Sequence, residues 1–236
     1  MAKTPKDTPN GLTPSWQLVP QSISLFRRHF VPLLYVAILP SLITELGLTL
    51  IGNFKDPKPT AHLGIAIFGI GLAVSILSIG AQLYLEVSAA NGMDTSIPQI
   101  YQRGVKYLPR MIGFTALFSV LFLVGVVLFI VPGLIVMRRY YLAPYYLVDR
   151  NLSIKEAMRQ SAKDSKPAAS YIWGILGVAV FFALIAQMMQ SALGDFGLIL
   201  SILCGYLYIF APALRYKELA SSARNQAGPA PYTPAR

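Results

Sequence analysis

The chain has 236 residues, of which 55% are hydrophobic and only 13% are charged, and its mean hydropathy is +0.55. Soluble domains carry roughly 25% charged residues, so this composition excludes an ordinary soluble domain and indicates an integral membrane protein. The net charge of +10 would suggest nucleic-acid binding in a soluble protein. Here the basic residues flank apolar segments, and we expect no nucleic-acid partner.

Six apolar segments approach the length of about 20 residues that a membrane-spanning helix needs. They cover approximately residues 31–52, 63–90, 111–130, 134–148, 168–191 and 196–214. The fourth is short and contains Pro144, so a re-entrant segment is an alternative. We favour a span, because Val131, Pro132 and Gly133 predict a tight turn before it. The sequence thus predicts an all-α, polytopic membrane protein, with a membrane domain over 15–217 and disordered tails at 1–14 and 218–236.

The distribution of basic residues predicts the orientation of these spans. With six crossings, one side collects the basic residues of both tails and of the connections after the second and fourth spans. The opposite side has only Lys55 and Lys58. Because cytoplasmic loops are enriched in Lys and Arg, we predict a multi-pass protein with both termini in the cytoplasm.

Three basic amphipathic segments precede the first, third and fifth spans, at about residues 15–30, 96–108 and 153–165. Two begin with a capping-box pattern, Ser96 with Gln99 and Ser153 with Glu156. The chain therefore reads as three repeats, each an amphipathic helix followed by a transmembrane hairpin. Such helices can lie on an anionic leaflet or simply pack on the bundle. The candidate contacts to lipid headgroups are Arg103, Lys106, Lys155, Arg159 and Lys163.

The stretch from Val131 to Lys166 resembles the membrane domain of membrane-type glycerophosphoryl diester phosphodiesterases and related small, uncharacterised bacterial membrane proteins. The matching features are Val-Pro-Gly at 131–133, Arg-Tyr at 139–140, Ala-Pro at 143–144, Asp149, Ser-Ile at 153–154, Glu-Ala at 156–157 and Ser161. The resemblance implies a membrane module in a bacterial cytoplasmic (inner) membrane. In those phosphodiesterases, catalysis belongs to a separate soluble domain, so the resemblance does not imply hydrolase activity here.

Ionisable residues inside a membrane are costly and mark candidate functional sites. Glu45 in the first span and Arg138 and Arg139 in the fourth have similar predicted depths, which predicts an ion pair. The pair could be structural, or it could leave one guanidinium free to bind a ligand beside Tyr140 and Tyr141. Gln82 and Glu86 lie one turn apart near the inner end of the second span and could join the inner arginines, but we favour a structural role for them. Tyr145 and Tyr146 suit an aromatic belt.

No motif for catalysis, phosphate binding or metal binding occurs, and the single cysteine, Cys204, excludes an intramolecular disulfide. We therefore expect a non-enzymatic membrane module without a cofactor, associated with anionic lipid through its cytoplasmic basic helices. A homo-oligomer or a membrane-protein partner is compatible with this hypothesis. The alternative is a small transporter or channel subunit with its polar path at the intramembrane Glu and Arg residues.

Overall fold

The computed structural model describes residues 12–53 and 56–226 and is almost entirely helical there. A 3-10 turn (Ser15–Gln17) leads into α1 (Leu18–Arg28). After it, α2 (Phe30–Leu33), a π-helical turn (Leu34–Ile38) and α3 (Leu39–Ile51) follow without a break. A minimal antiparallel ladder of β1 (Gly52–Asn53) and β2 (Asp56–Pro57) comes next. The remaining helices are α4 (Ala61–Ala90), α5 (Ile97–Leu128), α6 (Ile130–Tyr140), α7 (Ala143–Asp149), α8 (Ile154–Ser165), α9 (Ala169–Tyr206) and α10 (Ala211–Gln226).

Four helical stretches in the described residues are long and apolar enough to cross a membrane, which indicates a membrane-embedded protein. They are Phe30–Ile51, Ala61–Ala90, Ile97–Leu128 and Ala169–Gly194. The predicted fourth and sixth spans are instead interrupted, at 141–142 and at 207–210. Each break lies just before a proline, Pro144 or Pro212, which cannot donate the backbone hydrogen bond that would continue the preceding helix.

Consecutive helices nevertheless form antiparallel hairpins. The turn between α5 and α6 lies at Phe129, whose backbone is extended, and not at 131–133 as predicted, because those residues already belong to α6. At the other end of this hairpin, Arg110 donates a hydrogen bond of 2.6 Å to the side-chain oxygen of Asn151. Residues 130–149 therefore run back along α5 from its carboxyl end as far as Arg110.

A second reversal occurs within α9. Gly194 has φ 55° and ψ −134°, a conformation that residues with a side chain rarely adopt. Beyond it, the backbone at Gly197 lies directly against that of Met189, and the ring of Phe182 stacks at 5.8 Å on that of Tyr208. The two arms of α9 thus pack side by side.

The predicted amphipathic segments differ from one another in the structure. The first and third segments form helices of their own, α1 and α8, whereas 96–108 continues into the third span as α5. Pro109 does not separate the two parts. In the first segment, Pro20 falls in the first turn of α1, where a proline removes no helical hydrogen bond.

Both predicted tails are partly ordered, contrary to the sequence prediction. Leu12 and Thr13 are buried, and the Thr13 carbonyl accepts a hydrogen bond from Arg215. At the other end, α10 extends to Gln226, so 218–226 is helical. Residues 1–11 and 227–236 lie outside the described part of the chain.

The core lies at one end of the bundle, around the carboxyl end of α4, α7 and the first turns of α10. There α4 and α5 cross in close contact at Gly80 and Gly104, where a Cβ atom on either glycine would collide with the opposite backbone. Towards the other end, the spans expose apolar side chains such as Ile70, Val127 and Met188. Such a surface matches the hydrocarbon of a bilayer.

Candidate functional site

A groove of about 600 Å³ lies between α5, α6 and α8 and combines basic with apolar side chains. Its basic residues are Arg139 from the end of α6 and Lys155 and Arg159 from α8. Its other lining residues are Leu117, Tyr140, Ile154, Met158 and Ala162. The groove therefore joins the predicted intramembrane arginine site to the predicted lipid-contact helix, two features that the sequence had placed separately.

The break before Pro144 holds α8 against α6. Because α6 ends at Tyr140, the carbonyl of Arg139 accepts no hydrogen bond from a backbone N–H of its own helix. The hydroxyls of Ser161 and Ser165 donate hydrogen bonds to this carbonyl instead, at 2.9 and 3.3 Å. Both serines are buried. These hydrogen bonds fix the basic face of α8 beside the side chain of Arg139.

The predicted capping box fixes the start of α8. The Ser153 side chain accepts from the backbone N–H of Glu156 at 3.4 Å, and the Glu156 carboxylate accepts from the backbone N–H of Ser153 at 3.1 Å. The Ser153 hydroxyl also holds the pKa of Glu156 below its ordinary value. One residue on, Ile154 packs against α5 at Gly113. The box thereby sets the position of Lys155 at the groove.

The three cations of the groove have no acidic partner. In the described residues, ion pairs join Arg28 to Asp94 and Arg215 to Glu218, and the imidazole of His29 lies 4.0 Å from Asp94. The guanidinium of Arg139 lies 5.7 Å from the ring centroid of Tyr140, and no acidic side chain lines the groove. The groove thus presents three positive charges beside an apolar wall.

The predicted ion pair with Glu45 does not form. Glu45 is half-buried on α3 and belongs to none of the ion pairs of the described residues. Arg138 has a buried Nε atom without a hydrogen-bond partner. Similar depth along two spans did not make their side chains neighbours, because α6 packs mainly against α5 and α8, while α3 packs against α4.

The four tyrosines around Pro144 have separate surroundings. Tyr140 lines the groove, whereas Tyr141 lines a different cavity on the other side of the break. Tyr145 and Tyr146 are buried, unlike the residues of an aromatic belt. Each donates a hydrogen bond to a carboxylate, that of Glu86 for Tyr145 and that of Asp164 for Tyr146.

The other predicted headgroup contacts are exposed but lie outside the groove. Arg103 donates to the hydroxyl of Tyr84 at 2.8 Å, and its guanidinium lies 5.6 Å from the Tyr84 ring centroid. Lys106 is exposed on α5, and Lys163 is exposed one turn beyond Arg159 on α8. They contribute positive potential to the surface and do not line the groove.

A second cavity, of about 290 Å³, was not predicted as a site. Glu86 lines it, with one carboxylate oxygen accepting from Gln82 at 3.0 Å and the other from Tyr145 at 2.8 Å. The signal available in the sequence was the spacing of Gln82 and Glu86 in an otherwise apolar span. Tyr145 could not be assigned to them, because its contact depends on how α7 packs.

Comparison with family models, with curated proteins and with solved structures gave no match. The resemblance to the phosphodiesterase membrane domain therefore stays a prediction. In the described residues no group of three His, Cys, Asp or Glu side chains could hold a metal ion.

Proposed function

We propose that this chain is a non-enzymatic module of a bacterial cytoplasmic membrane that binds acidic phospholipid at its cytoplasmic face. The observation that carries the proposal is the groove in which Arg139, Lys155 and Arg159 converge without an acidic partner. In this arrangement the three cations contact the phosphate and the acidic headgroup, and the termini lie on the same cytoplasmic side.

The apolar part of the groove favours a lipid over a free phosphate ion. Leu117 lies seven residues beyond Arg110 in the sequence, or roughly 10 Å further along α5 at about 1.5 Å per residue. It is 44% exposed, and Ile154 and Met158 continue the apolar surface towards the cations. An acyl chain can follow α5 while its headgroup stays among the basic residues, as in other basic pockets for acidic headgroups.

Native mass spectrometry of the protein from mild detergent tests the proposal. Phosphatidylglycerol and phosphatidylcholine with identical acyl chains are titrated separately. We expect retention of phosphatidylglycerol, and about 30-fold weaker binding when Lys155→Gln and Arg159→Gln are combined, since each cation near an anionic headgroup is worth about 1 kcal/mol.

The matched control combines Lys163→Gln with Lys166→Gln. These residues are also exposed, lie in the last turn of α8 and directly after it, and their replacement changes the net charge by the same amount. They do not line the groove, so we expect a smaller loss. Equal losses in the two double variants, or equal retention of both lipids, would contradict a headgroup site in the groove.

A further inference from the structure

The cavity at Glu86 is separate from the lipid groove and shares no lining residue with it. Glu86 is 3% exposed and lies four residues before the end of α4, roughly 6 Å along the helix. Tyr141, Tyr145, Tyr208 and Phe182 supply aromatic rings to the lining. The cavity is thus a pocket with one carboxylate and several aromatic side chains.

The carboxylate of Glu86 has no positively charged partner in the described part of the chain. Its two hydrogen-bond donors, Gln82 and Tyr145, are neutral, and Glu86 belongs to none of the ion pairs there. A buried carboxylate without a cation is costly unless it gains a proton or a cationic ligand. Each carboxylate oxygen also has a lone pair beyond the one that accepts from Gln82 or Tyr145.

The rest of the lining suits an organic cation. Aromatic faces attract ammonium groups, and combinations of aromatic rings recognise such ligands in other proteins. No described residue forms a hydrogen bond with the hydroxyl of Tyr141, which therefore remains available to a ligand. The other lining residues are small or apolar: Ala179, Ala183, Gly205, Ile209 and Pro212. Ala183 is exposed, so the cavity opens towards that side.

We propose that this cavity binds a small organic ammonium ion, with Glu86 as the counter-charge and Tyr141, Tyr208 and Phe182 as the aromatic wall. The ammonium group comes either from a soluble amine or from the headgroup of an aminophospholipid, because the carboxylate that would bind it lies near the end of α4. The chemistry of recognition is the same for both sources. The proposal does not depend on lipid binding in the groove.

Isothermal titration calorimetry tests the proposal with the full chain in mild detergent. The probes are ethanolammonium chloride and tetramethylammonium chloride, and sodium chloride is the blank. We expect saturable binding of at least one probe. Glu86→Gln should weaken it by about tenfold or more, because the variant keeps the size of the side chain and removes its charge. Glu45→Gln, which removes a half-buried carboxylate outside the cavity, should leave binding unchanged.

A second variant keeps the test decisive if Glu86→Gln does not fold. Ala183→Phe introduces a ring at the open side without altering Glu86, and circular dichroism with size-exclusion chromatography verifies its fold. We expect it to reduce binding by a similar factor. Unchanged binding in a folded Ala183→Phe protein would overturn the assignment to this cavity.

Native mass spectrometry separates the two sources of the ammonium group. Phosphatidylethanolamine that is retained by the wild type and displaced by ethanolammonium identifies the headgroup as the ligand. Binding of the soluble ions without lipid retention identifies a soluble amine. The proposal would be overturned if the protein bound neither the soluble ammonium ions nor phosphatidylethanolamine, or if the wild type and Glu86→Gln bound them equally. Glu86 would then have no cationic ligand, and only a proton would neutralise it.

Discussion

Arg215 is one of the largest fully buried side chains of the described residues and shows how a cation is accommodated at the edge of this bundle. Its guanidinium donates to the carboxylate of Glu218 and to the carbonyl of Thr13, and it lies 5.1 Å from the ring centroid of Tyr171. These contacts connect α10 to the residues before α1 and to the start of α9. Arg215 is therefore a structural cation, in contrast to Arg139, whose charge faces the groove.

His29 makes the stability of the same region depend on pH. It is 4% exposed at the end of α1, and burial lowers its pKa below the ordinary value, although Asp94 opposes the shift and Arg28 adds to it. A lowered pKa means that the unfolded chain binds the proton more readily than the folded chain. The contribution of His29 to stability is therefore complete above about pH 6.5 and is lost as the pH falls through the folded pKa.

We expect the thermal midpoint of the detergent-solubilised protein to fall between pH 7 and pH 5, and His29→Gln to reduce that dependence. The control is His62→Gln, because His62 is exposed at the start of α4. Differential scanning fluorimetry at each pH measures the midpoints. A pH dependence that is the same in both variants and the wild type would show that His29 does not titrate on unfolding.

At the scale of elements, local signals in the sequence identified most helices but not their ends or their neighbours. The capping box at Ser153 is local chemistry, and it forms as predicted. The equivalent pattern at Ser96 starts a helix at the predicted position, but its side chain makes no capping hydrogen bond. The contact of Ser161 with the carbonyl of Arg139 was not predictable, because it requires α8 to fold back on α6.

Ser153 and Ser96 allow a direct comparison of a helix start with a side-chain cap and one without it. We expect Ser153→Ala to destabilise the protein by about 1 kcal/mol, the usual cost of losing a side-chain N-cap. Ser96→Ala should have a clearly smaller effect, because no side-chain cap is lost. Reversible unfolding in mixed micelles, followed by tryptophan fluorescence, measures both. Equal free-energy changes would mean that the box at α8 adds nothing to its stability.

At the scale of the whole molecule, hydropathy predicted the membrane class, and the positions of proline and glycine decided the layout. In the part of the chain that the structure describes, four helical stretches have the length and apolar character of spans. Interruptions occur in 130–149 and in the predicted sixth span, 196–214, yet both segments return along a preceding helix. Hydropathy averages over a window and does not register that Pro144 ends a helix. It also does not register that Gly194 permits a reversal.

The predicted six-crossing layout with cytoplasmic termini has a definite consequence for chemical labelling. The hairpin of α5 with α6 and α7 reverses at Phe129, and its other end returns to Arg110 at Asn151. Residues 130–149 are 20 residues long, roughly 30 Å at about 1.5 Å per residue, which matches the hydrocarbon thickness of a bilayer. A segment that crosses completely therefore places Phe129 and Asn151 on opposite sides.

Single cysteines in a Cys204→Ser background test this layout in intact cells with a membrane-impermeant maleimide. We expect Phe129→Cys and Lys58→Cys to be labelled from outside, because the enrichment of cytoplasmic loops in Lys and Arg predicts that the other connections are cytoplasmic. Asn151→Cys and Ser222→Cys should be labelled only after the cells are opened. Labelling of Asn151→Cys from outside would contradict a complete crossing, because 130–149 would then be a re-entrant segment with the basic groove on the outer face. Labelling of Ser222→Cys from outside would contradict the predicted orientation.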